Sequence, residues 1–93
     1  MRKVSVKVNI PHFLQHLTND VKVVAVNGST VGECLHDLVQ RFPSLTKHLL
    51  DENSKLLKLV DVYINGESAY PDELNKPVND GDELYIMLVL AGG

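Results

Sequence analysis

Residues 29–42, STVGECLHDLVQRF, decide what kind of fold this chain can adopt. Val31, Cys34, Leu35, Leu38, Val39 and Phe42 recur at i, i+3, i+4, i+7, i+8 and i+11, so a helix here has one apolar stripe and a polar remainder. Thr30 and Glu33 form a capping box: the hydroxyl and the carboxylate can satisfy exposed amides of the first turn. Pro43 closes the segment. No second long amphipathic helix exists for the stripe to bury against, so its partner must be a sheet.

Strand patterns lie on both sides. In KVSVKVNI (residues 3–10), Val4, Val6 and Val8 alternate with Lys3, Ser5 and Lys7, the pattern of a half-buried strand. HFLQHLTND (12–20) reads as a short connection with a turn at Asn19-Asp20, and VKVVAV (21–26) as a second strand, together a hairpin. After Pro43, SLTKHLL offers one more helical turn around Leu45, Leu49 and Leu50, then a polar loop. LVDVYING (59–66) alternates again, with Val60, Val62 and Ile64 on one face and a turn at Asn65-Gly66. ESAYPDELNKPV (67–78) holds two prolines and supports only short edge structure. Asp80-Gly81 turns into a last strand with Leu84, Ile86 and Leu88 inward and Tyr85, Met87 and Val89 outward. Spacing fixes these elements but not their pairing. A first hairpin, a helix laid across and a last strand returning to the sheet is the β-grasp, or ubiquitin-like, arrangement: an α+β domain with a mixed sheet of four to five strands covered by one main helix. Residues 1–90 form this domain and residues 91–93 a flexible Ala-Gly-Gly tail.

The totals narrow the function. A chain of 93 residues is one small domain. Its single cysteine excludes an internal disulfide, so a reducing cytoplasm is the expected setting. The start MRKVSVKV lacks the apolar block of a signal peptide, and the longest apolar run, Leu84–Ala91, is too short for a membrane span. With net charge −3, scattered lysines and no tryptophan, nucleic acid is an unsuitable partner.

Catalytic constellations do not emerge. Phosphate-loop, dinucleotide-fold and nucleophile-elbow motifs are absent. His12, His16, His36 and His48 read as surface residues; His12 and His16 would share a face only in an α-helix, and they lack a third metal ligand. Cys34 lies on the apolar stripe, where a thiol is a small inert hydrophobe. NDGDE (79–83) is too short for a calcium loop and reads as a solvated turn.

What remains is the ending, LYIMLVLAGG (84–93). Two glycines can neither pack a side chain nor continue a strand well, so they contribute little stability. They do place an unobstructed α-carboxylate on a narrow stalk that fits another protein's active site. An outward apolar row beside such a stalk has the form of a docking surface beside a chemical handle.

DGDELYIMLVLAGG (80–93) resembles the terminus of prokaryotic ubiquitin-like sulfur carriers. That family includes the small subunit of molybdopterin synthase, the thiamine-pathway carrier and carriers for cysteine or homocysteine synthesis. VKVNIP (6–11), the Thr30-Val31-Gly32-Glu33 helix opening and LVDVYING also fall where the family has equivalents, so the resemblance covers nearly the whole chain.

The resemblance implies that the carrier is a co-substrate and not an enzyme. An E1-like adenylyltransferase would use ATP and Mg²⁺ to convert the Gly93 carboxylate to an acyl-adenylate. A persulfide or sulfide source would displace AMP, and the Gly93 thiocarboxylate would pass sulfur to a biosynthetic enzyme. It further implies that Gly92, Ala91, Leu90, Val89, Met87 and Tyr85 meet partners, that no cofactor or metal is held by the carrier, and that the free protein is a monomer. The loop before residue 60 is closer to the cysteine-synthesis carriers. The molybdopterin subunit usually has prolines in its last strand, where this chain has Leu88 and Val89. The resemblance therefore leans to cysteine or homocysteine synthesis; the molybdopterin synthase small subunit, conjugation of Gly93 to target lysines, and a plain interaction domain with an incidental Gly-Gly remain as alternatives.

Overall fold

The computed structural model describes residues 4–88. Five strands, β1 (Ser5–Asn9), β2 (Val23–Asn27), β3 (Val60–Ile64), β4 (Glu67–Ser68) and β5 (Glu83–Leu88), form one sheet in the order β2-β1-β5-β3-β4. The central pair β1/β5 is parallel, and the β1/β2, β3/β5 and β3/β4 pairs are antiparallel. Helix α1 (Val31–Arg41) supplies the second layer. This is the β-grasp arrangement expected from the element order, with the strand count at the upper end of the expectation.

Alternation sorts the side chains. Val6, Val8, Val24, Val26, Val62 and Leu84 are buried on one face of the sheet, where they meet Val31, Cys34, Leu35 and Leu38 of α1. A one-residue slip in any of these strands would exchange the buried and exposed sets, so the cover on one side also fixes the register. Ile86 is buried as expected, but Leu88 is 46% exposed instead of inward. Alternation decides the side of the sheet and not how far the covering layer reaches, and at the last described residue of β5 the cover has run out.

Connections follow the expected outline with more structure than the sequence showed. Residues His12–Leu17 form a 3-10 helix with Leu14 buried, and Asn19 and Asp20 adopt left-handed φ values of 53° and 63° in the turn that follows. Three residues per turn put His12 and His16 on different faces, and both are exposed. After Pro43 a 3-10 turn leads into a short helix, α2 (Thr46–Leu49), which buries Leu45 and Leu49 under the sheet's core.

The helix start is tied down from two sides. The Thr30 hydroxyl accepts from the Glu33 amide at 3.1 Å, while the Glu33 carboxylate accepts from the amide and hydroxyl of Ser29, one residue earlier than a standard box. These bonds hold the Glu33 carboxyl below its ordinary value. The amide of Val31 donates to Lys76 and that of Val78 to Ser29, which brings the 73–78 segment against the helix. Gly32 makes this approach possible: a Cβ there would lie 2.9 Å from the Leu74 carbonyl oxygen. That contact accounts for a glycine inside a helix, a placement that costs about 1 kcal/mol relative to alanine.

Asp37 fastens the other end of the layer pair. Its carboxylate accepts from the Asn27 amide at 2.9 Å and from Arg41 at 3.2 Å, closing an amide on the outer edge of β2. The Asn27 amide is the main cause that lowers the Asp37 carboxyl, with Arg41 adding to it. A carboxyl lowered on folding contributes stability above its unfolded value, here near 3.8, and loses it as pH falls through the folded value. Asp37→Asn is therefore expected to cost about 1 kcal/mol at neutral pH. In urea titrations the difference from the parent should shrink as pH falls below the unfolded value of 3.8; a deficit that stays the same from neutral pH into that range would refute the assignment.

Candidate functional site

The face of the sheet opposite α1 carries the residues of interest. Tyr85 and Met87 of β5 project there, 39% and 45% exposed, and Val23 of β2 is 45% exposed on the same side. Strand register supplies their neighbours: Tyr85 pairs with Tyr63 of β3 and with Asn9 of β1, and Met87 pairs with Asp61. Tyr63, Asn65, Gly66, Glu83, Tyr85 and Met87 line a shallow depression of about 520 Å³. Two cross-strand tyrosines beside a thioether give a polarisable platform, a composition typical of protein contact surfaces.

Polar groups at the start of β5 set this platform. The Asn65 side chain bridges the turns: its Oδ1 accepts from the Glu83 amide at 3.0 Å, and its Nδ2 donates to Asp82 at 2.9 Å. Asp82 also accepts from the Asn79 amide, and Asp80 accepts from the Ser5 amide, each at 2.8 Å. Asp80 and Asp82 thus serve backbone donors and help to hold β5 between β1 and β3, which fixes the face that Tyr85 and Met87 present. Asn65 (φ 51°), Gly66 (φ 93°) and Gly81 (φ 88°) take the left-handed conformations that these tight turns require. Asp61, the cross-strand partner of Met87, accepts from the Val62 amide at 2.8 Å and the Ser68 hydroxyl at 2.7 Å.

Tyr85 and Met87 therefore stand where the strand pattern put them. Val89, Leu90, Ala91, Gly92 and Gly93 lie outside the described residues. Tyr63 was missed as a member of the site, although alternation in LVDVYING already set it opposite Val60 and Val62; only the pairing with Tyr85 was needed to bring it in. His36 and His48, like His12 and His16, are exposed, and no group of three or more His, Cys, Asp or Glu among the described residues is placed to hold a metal. No helix among those residues is long and apolar enough to cross a membrane.

Cys34 is fully buried, with its sulfur 3.8 Å from the Gly28 carbonyl oxygen. Burial, reinforced by Glu33, Asp37 and Asp82, pushes the thiol up to about 11. The thiolate is the reactive species, so native Cys34 is expected to resist alkylation at neutral pH and to label only after denaturation. Rapid labelling of the folded protein would contradict this placement.

A mixed five-stranded sheet under one main helix, with Tyr85 and Met87 on the outer face of its last strand, defines the ubiquitin-like class of small β-grasp proteins. Residues 8–93 match the model of the ThiS family. The chain belongs to that family of ubiquitin-like sulfur carriers, whose members are small carrier proteins rather than catalysts.

Among solved structures, CysO in the BexX/CysO complex of Amycolatopsis orientalis is 36% identical, with a TM-score of 0.83 over 95% of this chain and 99% of that one. CysO of Mycobacterium tuberculosis, described as an antigen, is 31% identical, with a TM-score of 0.81 over 91% and 99%. SAMP1 of Haloferax volcanii is 27% identical, with a TM-score of 0.81 over 96% and 99%. No curated protein matches the sequence.

Proposed function

We propose that this sulfur carrier works through its last residue: Gly93 is adenylated by an E1-like enzyme, converted to a thiocarboxylate and spent as a sulfur donor. The observation that carries this reading is the family match, which runs through Gly92 and Gly93 and includes the strand that presents Tyr85 and Met87.

The chemistry needs little from the carrier beyond delivery. An α-carboxylate is ionised at neutral pH and is a poor electrophile. Transfer of AMP from Mg²⁺-bound ATP, with loss of pyrophosphate, gives its oxygen a good leaving group. Hydrosulfide then attacks the acyl carbon, the C–O bond to AMP breaks, and a thiocarboxylate, AMP and a proton result. Both steps take place in the partner's active site, so the carrier must supply a slender end and a surface that aligns it. Gly92 and Gly93 supply the first, since neither carries a side chain. The platform of Tyr63, Tyr85 and Met87 supplies the second.

The likeness to two CysO proteins at 36% and 31% identity supports delivery of sulfur to amino-acid synthesis of the cysteine or homocysteine type. One of those proteins was solved in complex with BexX, which favours a reading in which a carrier of this shape is held by a partner protein. A second reading, conjugation of Gly93 to target lysines, is favoured by the likeness to SAMP1, a small archaeal modifier protein.

Intact mass of the protein isolated from its host without alkylating or reducing agents tests the first reading. A gain of about sixteen mass units on the terminal peptide, the exchange of oxygen for sulfur on an ionised carboxylate, is the expected result. Lysine-linked adducts with no such gain would favour the second reading. If neither appears and the host's E1-like enzyme with ATP and Mg²⁺ forms no adenylate, the carrier mechanism is wrong.

A further inference from the structure

The sheet has two edges, and they are guarded differently. β4 spans only Glu67–Ser68 and is soon followed by Pro71, which has no amide to offer a further strand. β2 is the other edge. Its pairing with β1 follows one parity: the Gly28 amide donates to the Val4 carbonyl and the Ile10 amide to the Lys22 carbonyl, so Val24 and Val26 face β1 as well. Val23, Ala25 and Asn27 therefore turn their amides and carbonyls away from the sheet.

This outward row is engaged at both ends. The Asn27 amide donates to Asp37 at 2.9 Å. Val21 donates its amide to the Thr18 carbonyl, and its own carbonyl accepts from the Thr18 hydroxyl at 2.8 Å. Between them, the amides and carbonyls of Val23 and Ala25 have no partner among the described residues, and both side chains are exposed. An opening of this form is complementary to itself. In an antiparallel pair about a two-fold axis through Val24, Val23 of one copy stands opposite Ala25 of the other, and reciprocal amide–carbonyl bonds close every open group of both residues. The same register sets Val21 against Asn27 of the second copy, so the closed ends meet each other and no amide already bonded has to be released.

Charge agrees with this register. Lys22 falls opposite Val26 of the second copy, next to the Asn27 amide that Asp37 covers. Lys22 is exposed and forms no ion pair among the described residues, with Asp20 its nearest carboxylate in the chain. Asp37 uses Oδ2 for both Asn27 and Arg41, and no described residue donates to its Oδ1. The two-fold axis makes the Lys22–Asp37 approach twice. We propose that β2 is a self-pairing edge, on which a second copy of this chain adds antiparallel to give one sheet running through both. The interface is small and the pair reversible, so the dilute protein is a monomer. β1 separates β2 from β5, so Tyr85 and Met87 stay uncovered in the pair, and the pairing does not depend on the reading of Gly93.

The test is sedimentation equilibrium of the full chain, with amide hydrogen exchange on the same samples, from about 10 µM to about 2 mM. A dimer dissociation constant inside that range is expected, the weak regime of a small interface. Exchange at the Val23 and Ala25 amides should slow as concentration rises, while Val21 and Asn27, already bonded, should not change. Ala25→Pro removes one outward amide and puts a ring carbon in its place without touching the β1 ladder, and should weaken the dimer roughly tenfold or more. If Ala25→Pro lowers the melting temperature, Lys22→Glu takes its place; it sets like charges beside Asp37 and should weaken the dimer roughly threefold or more. A parent protein still monomeric at about 2 mM would overturn the proposal. So would a dimer that keeps its affinity in the variant, or whose slowed amides lie away from β2, because its interface would then be another surface.

Discussion

One alanine added after Gly93 is expected to lower kcat/KM for adenylation by at least about two orders of magnitude, the scale of loss when a reacting group is misplaced by an ångström or more. The extension replaces none of the core side chains of residues 4–88, so the folded domain is expected to keep its stability. What it changes is the position and the bulk of the reacting group. The carboxylate moves one residue further along the chain, roughly 3.5 Å, and carries a Cβ into a space shaped for glycine. Deleting Gly93 should be as damaging for the converse reason, because the carboxylate then stops short. Formation of the adenylate is followed by mass, and the melting temperature should stay at the parent value throughout. Normal adenylation of the extended protein, with the extra alanine still attached, would remove Gly93 from the mechanism.

The sequence carried the layers of this fold more fully than its connections. The α1 stripe and the strand alternations are repeated signals, and each repeat is enforced by burial of the same face, so Val6, Val8, Val26, Leu38, Val62 and Leu84 are in the core as read. The strand order needed long-range information: nothing local in residues 5–9 says that β5, more than seventy residues later, lies beside them in parallel.

Asp37 shows the same limit at the level of one side chain. In the helix pattern it is simply a polar position, and its bond to the Asn27 amide exists only because α1 crosses the edge of β2. Leu88 failed for a different reason, since a period-two pattern has no term for where cover ends. At the site, Tyr85 and Met87 were legible from alternation, whereas Tyr63 depends on which strands are neighbours.

Met87→Asp is expected to separate docking from folding. The side chain is 45% exposed on the outer face, so a carboxylate there stays hydrated and the core of Val62, Leu84 and Ile86 is not entered. Its cross-strand neighbour is Asp61, whose oxygens already accept from the Val62 amide and the Ser68 hydroxyl. The new charge therefore gains no local partner and faces a like charge across the strands, a penalty of a few tenths of a kcal/mol to about 1 kcal/mol. Against an apolar partner surface the same carboxylate must be desolvated without compensation, and the platform loses its thioether. That combination should cost about 2 kcal/mol or more of binding, roughly thirtyfold in KM, with kcat little changed. Kinetics with the activating enzyme and thermal melts on the same sample read the two effects apart. Collapse of the fold would mean that Met87 belongs to the core face, and an unchanged KM would mean that the platform on β5 is not what the partner grips.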